Sequence, residues 1–332
     1  MFGLVNSTRP PPKDYASCSG CGLCLLVCPV WRRDRDIGLT PLGRAKALQH
    51  GAVAADIAAS IQSCTLCAAC EPVCPEDIAL IVMAQELRCQ LPQPALVQSL
   101  RARMEEQAAR PRAPRPSTPA VLLPGQALRA RPATLARIAD LLGGKDKIAL
   151  GDDDGADIAL ALEAGAAIPA PRLERLLQPL RGLKTIVIAD GLLLRHLRQW
   201  LPRSKIIGLG EALSGLAAVR GALRAGDLYV IEPRAYHSDY QRLVRHYDTL
   251  RSETGCTLNL DLQRIAIPAT ARSLPQTLGL AKIDDQIQAL WILQGRKVMR
   301  IVVENIEDGA AFGQVGDCPV VHLADLADDR TS

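Results

Sequence analysis

The sequence predicts an α + α/β chain: a helical, cysteine-rich front followed by two α/β units with parallel sheets. Three observations carry this reading. Two runs share one spacing, Cys18-x2-Cys21-x2-Cys24-x3-Cys28-Pro29 and Cys64-x2-Cys67-x2-Cys70-x3-Cys74-Pro75. A stretch from 110 to 119 repeats proline every two or three positions and marks an extended spacer. Beyond Pro119, short apolar strands alternate with helical stretches, the pattern of a parallel sheet covered on both faces.

In a CxxCxxCxxxCP run, three thiolates at three-residue intervals wrap one four-iron cubane, and the fourth, before proline, reaches the cubane of the other run. The expected ligand sets are therefore crossed: Cys18, Cys21, Cys24 and Cys74 for one 4Fe-4S cluster, and Cys64, Cys67, Cys70 and Cys28 for the second. A zinc ribbon needs two CxxC pairs per metal and would leave the third cysteine and the Cys-Pro of each run idle. Disulfides within such tight intervals would be strained. No secretory segment is expected in MFGLVNSTRPPPKD, which lacks a charged start followed by an apolar stretch.

The 332 residues suffice for two or three cores. With two Phe and three Trp, those cores must be built of Leu, Ile, Val and Ala. A net charge of +4 gives no case for nucleic-acid binding. No apolar stretch approaches the roughly 20 residues of a membrane span. The expected setting is cytoplasmic, or peripheral at the inner face of a membrane.

Taken in order, residues 1–92 form the helical two-cluster domain. Pro10, Pro11 and Pro12 lie in an extended lead-in. Gly43–His50 and Val53–Ser63 read as helices, with Ile57 and Ile61 facing inward. Pro75-Glu-Asp-Ile78 reads as a helix start, with proline in the first turn, two carboxylates at the positive end of the dipole, and Ile78, Ile81, Val82 and Leu87 as the apolar stripe. Residues 93–119 hold a helix over Ala95–Ala109 and then the Pro/Arg-rich spacer. The α/β units span 120–209 and 210–332. Strands are expected at Ala120–Leu123, Lys147–Leu150, Thr185–Ala189, Leu228–Ile231 and Met299–Val303. Helices are expected at Thr134–Leu142, Ala156–Ala164, Leu192–Leu201, Ser238–Glu253 and Asp284–Leu293.

Both cysteine runs, the long spacer between them and the segment Leu39-Thr-Pro-Leu-Gly-Arg44 resemble the iron-sulfur subunits of the glycolate oxidase, D-lactate oxidase and heterodisulfide reductase group. That resemblance covers residues 15–92. It implies that the back half derives from two cysteine-rich CCG domains. In this chain Gln126 stands in a strand-Pro-Gly-Cys turn, Asp153-Asp154-Gly155 replaces Cys-Cys-Gly, and Arg234 opens the second repeat. None of these is a soft thiolate donor, so no cluster is expected there. The units are read as degenerate CCG-like scaffolds whose former ligand loops, bearing Gln126, Asp153, Asp154 and Arg234, sit in water.

Cys89, Cys256 and Cys318 read as buried small hydrophobes. Asp152–Asp154 reads as a solvated loop. His237 and His246, nine apart, form no ligand pair, and Gly208-Leu-Gly210 follows a weak strand and lacks a dinucleotide fingerprint. No catalytic residue is assigned. The resulting expectation is an electron-transfer subunit of an oxidoreductase complex, with electrons passing between a flavoprotein dehydrogenase or other redox subunit and a quinone, a membrane-associated acceptor or another carrier. A heterodisulfide-reductase-type catalytic subunit is the alternative. Residues 1–92 are expected to assemble both clusters by themselves, with 120–332 needed for docking.

Overall fold

In a computed structural model, which describes residues 13–111 and 115–328, the front is helix and loop and the remainder carries two parallel four-stranded sheets. The Pro10–Pro12 lead-in and residues 112–114 of the spacer lie outside the described residues.

Helix Pro41–Gln49 starts with proline at its first turn and is capped by Thr40, whose hydroxyl accepts from Gly43 N–H at 3.3 Å. Gly43 is required by contact: a Cβ there would sit 2.1 Å from the Ile37 carbonyl oxygen. The next helix is Ala58–Ser63, five residues shorter at its start than expected. Val53–Asp56 is a turn instead, because the Asp56 carboxylate accepts from Val53 N–H at 2.9 Å.

The expected helix start at Pro75 is corrected. Asp77 adopts a left-handed backbone (φ 52°), and Ile78 pairs with Lys13 in an isolated bridge, so the helix begins at Leu80 and runs to Cys89. Its free N-terminus is capped from a distance by Glu71, which accepts from Ile81 N–H at 3.0 Å. Helix Ala95–Ala109 lies where expected.

The first sheet contains β1 (Ala120–Leu123), β2 (Ile148–Leu150), β3 (Thr185–Ile188) and β4 (Lys205–Gly208) in the order β2-β1-β3-β4. The second contains β5 (Asp227–Val230), β6 (Thr257–Leu258), β7 (Arg300–Val303) and β8 (Val320–His322) in the equivalent order β6-β5-β7-β8. Strands β6 and β8 are too short to announce themselves by periodicity. Helix Ala170–Leu180 was also hidden, by Pro171 and Pro179; Pro171 falls in the first turn, where its missing N–H costs nothing. The expected helix Ser238–Glu253 runs from Tyr240 to Thr254, and a separate short helix, Pro233–Ser238, precedes it across a break at Asp239 (φ −145°).

Val121, Leu123, Ile186 and Ile188 line one face of the first sheet and share a core with Leu66, Ala68, Ile81 and Ala84 of the front. Leu122 and Val187, on the other face, join Tyr229, Ile231 and Val302 of the second unit in a core common to both sheets. The second cysteine run is thus built into the core that supports the first sheet.

Candidate functional site

The eight cysteines fall into two groups of four, and each group draws on both runs. Cys24 lies within electrostatic range of Cys18, Cys21 and Cys74. Cys28 has Cys64 and Cys67 as its thiol neighbours, and Cys28, Cys64, Cys67 and Cys70 together line one cavity with Arg44 and Ile81. Cys74 thus lies near the first run, and Cys28 near the second.

The loops have a common shape that the sequence conceals. In the first run, Gly20 (φ 85°) and Gly22 (φ 79°) are left-handed. At the matching positions of the second run, Leu66 (φ 51°) and Ala68 (φ 60°) adopt the same region. A non-glycine residue there costs about 1–2 kcal/mol, so the second loop must be held by its surroundings.

Those surroundings come from far along the chain. Arg88, fully buried, donates to the Cys64 and Glu163 carbonyls and, at 3.3 Å, to that of Ile61. Arg234 donates to the Thr65 carbonyl at 2.8 Å and pairs with Glu163 at 3.2 Å. His237 donates from Nδ1 to the Cys67 carbonyl at 2.7 Å, while its Nε2 accepts from Ala266 N–H at 3.2 Å, which fixes a neutral tautomer. Burial holds its pKa down at about 4. Arg195 forms a two-pronged pair with Glu71, at 2.6 and 3.0 Å, and ties the turn after Cys70 to the first unit.

Burial works against the charge of Glu163, but the Arg234 guanidinium, Arg88 and the Thr277 hydroxyl outweigh it and hold its carboxyl below the usual range. The expectation that Arg234 and the aspartates sit free in water is corrected. Asp153 is clasped by Arg172 at 2.8 Å, and Asp154 pairs with Arg129. Gln126 alone of the four is exposed. Cys89 is exposed rather than buried, Cys318 is half-buried with its thiol on the Val298 carbonyl, and Cys256 is buried as expected.

Sequence reasoning missed Arg44, Arg88, Glu163 and His237 as walls of the second group. One signal was present: Arg88 continues the Ile81, Ala84 stripe of its helix, a cation on a face that turns inward.

Burial lifts the Cys28 thiol to about 12, and burial followed by the neighbouring thiols lifts Cys24 to about 11; Cys67 and Cys70 are raised for the same first reason. Thiols crowded in this way ionise together only against strong positive charge, which iron supplies. Among the described residues no three His, Cys, Asp or Glu side chains converge tightly enough to share a single ion. A mononuclear tetrahedral site draws its sulfurs in to about 2.3 Å from one metal, whereas a cubane offers each thiolate a separate iron corner. The donor set is all sulfur and comes in fours, and it fits a 4Fe-4S cluster.

No helix among the described residues is long and apolar enough to cross a membrane. Neither a curated protein nor a solved structure matches the chain. Residues 14–78, well under half of the chain, match the family of 4Fe-4S dicluster domains, a span that holds all eight cysteines of both runs. The chain is an iron-sulfur protein.

Proposed function

We propose that the protein is an electron-transfer subunit that relays electrons through two 4Fe-4S clusters, one on Cys18, Cys21, Cys24 and Cys74, the other on Cys64, Cys67, Cys70 and Cys28. The supporting observation is the interlocked pair of thiol groups, one of which reaches the surface at Cys21 while the other is enclosed, with Cys28, Cys67 and Cys70 each less than 10% exposed. An exposed centre can receive electrons from a partner and an enclosed one can keep them from water. Bound clusters supply one-electron chemistry; the chain's own part is to orient the thiolates, exclude water and fix the distance between the centres.

Arg88, Arg234 and His237 hold the carbonyls of the second loop and so hold its thiols in register. Residues 120–328 wall that loop and present the outer surface to partners. By the resemblance of the front segment, the donor is a flavoprotein dehydrogenase for a small hydroxy acid and the acceptor a quinone or another carrier; the two α/β units are its docking scaffold.

Anaerobically purified protein should carry about eight iron and eight sulfide per chain, the content of two cubanes, and be reversibly reduced by dithionite. Half that content would leave one centre, and zinc without sulfide would remove the reading altogether.

A further inference from the structure

We propose that Arg44 directs its Nε–H at the sulfur shell of the cluster held by Cys28, Cys64, Cys67 and Cys70, and that this contact raises the reduction potential of that cluster. The inference rests on the two-cluster reading above.

Arg44 is 2% exposed. Its Nη1 donates to the Ser60 carbonyl at 2.7 Å, with longer contacts to the Leu39 carbonyl at 3.3 Å and the Ser60 hydroxyl at 3.4 Å. Its Nε is buried and meets no acceptor in the protein. A buried charged donor without a partner is costly, more so than a neutral one. Arg44 lines the same cavity as the four cysteines, so thiolate or sulfide sulfur is the acceptor within its reach.

The side chain is placed by its helix. Thr40 caps the helix and Gly43 lets the Ile37 carbonyl approach to where a Cβ would stand, so residues 37–39 lie against the helix and the Leu39 carbonyl meets Nη1. Among the described residues, no such donor stands beside the first group of cysteines. Lys46, beside that group, is committed to the Cys18 carbonyl at 3.1 Å and to Gln49 at 2.8 Å. Among the described residues, no orphaned buried nitrogen belongs to a residue contacting that group.

Reduction adds one electron to the cluster and moves no atoms. A fixed cation with an N–H on sulfur stabilises the more negative state, whereas burial alone opposes it. Arg44 therefore offsets the electrostatic cost of placing the second centre inside the protein.

The test is a redox titration of full-length protein, monitored by electron paramagnetic resonance with dithionite as reductant, for Arg44→Met and Arg44→Lys. Arg44→Met should lower the reduction equilibrium constant of the second centre at least tenfold, about 59 mV for a one-electron couple, and leave the first centre in place. Arg44→Lys should recover part of the shift. An unmoved second potential in both variants, with iron and sulfide content intact, overturns the inference while leaving the two-cluster reading standing. Should either variant lose its cluster, the wild-type protein labelled with 15N-arginine gives the answer: an arginine nitrogen coupled to the reduced second centre is expected, and its absence overturns the inference. If neither centre can be reversibly reduced, the electron-transfer reading falls and this inference with it.

Discussion

The two cysteine runs have one spacing and one backbone shape but different means of holding it. The first carries glycines at its two left-handed positions and lies at the surface, with Cys21 exposed. The second puts Leu66 and Ala68 in the same conformation, 1% and 3% exposed, and is gripped at three carbonyls by Arg88, Arg234 and His237. One loop is shaped by its own residues; the other is forced into shape by the rest of the molecule. An identical motif therefore does not mean an identical dependence on context.

The largest test of this contrast removes a crossing ligand. Cys74→Ala should abolish the spectroscopic signal of the exposed centre and spare the one on Cys64, Cys67 and Cys70; the reverse result would mean that the two runs do not exchange their fourth cysteines. Truncation after residue 92 comes next. The spacing alone leads one to expect both centres in that fragment, but Glu163, Arg234, His237 and Ile265 would be gone from around the second loop. Iron analysis should find the first centre retained and the second lost, and full loading of the fragment would show that the distant walls are dispensable.

A smaller effect is expected from Glu163→Gln, which leaves Arg234 without its carboxylate. A broken buried pair costs about 3–5 kcal/mol; because Arg234 retains about a quarter of its side-chain exposure, a loss near 2 kcal/mol is expected. The pH dependence has a definite sign. The carboxyl of Glu163 is held below its ordinary value in the fold, so its contribution is present above about pH 4.3 and disappears as the pH falls through the depressed value. Denaturant titrations across the acid range should show that loss in the wild type and a flatter profile in Glu163→Gln.

The smallest pair of changes exchanges the glycine rule between the loops. Gly22→Ala meets nothing closer than a Leu25 methyl at 3.9 Å, so backbone strain alone should cost about 1 kcal/mol. Ala68→Gly relieves the same strain but gives up a buried methyl, and should be nearly neutral. Equal costs in the unfolding midpoint would erase the distinction between the runs.

The iron-sulfur character and the parallel sheets were legible because both depend on local pattern. Cysteine spacing announces itself within a dozen residues, and β1, β3, β5 and β7 are runs of four residues with three or four buried positions. What escaped was set by partners far away. Arg234 looks like a surface substitution until Glu163 and the Thr65 carbonyl are beside it, and Asp77 ends a plausible helix start only because Lys13 pairs with Ile78. Leu66 and Ala68 carry no sign of a left-handed backbone, since the residues that enforce it are not neighbours in sequence.

The grip on the second loop also has a consequence for the order in which the molecule is made. Thr65 and Cys67 are bonded by side chains 169 and 170 residues downstream. During synthesis this loop leaves the ribosome well before Arg234 and His237 exist, and it stays uncovered for that interval; at about 5–20 residues per second this lasts on the order of ten seconds or longer. Iron and sulfide delivered in that interval meet an open loop. Delivered later, they meet a packed interface that has to come apart first.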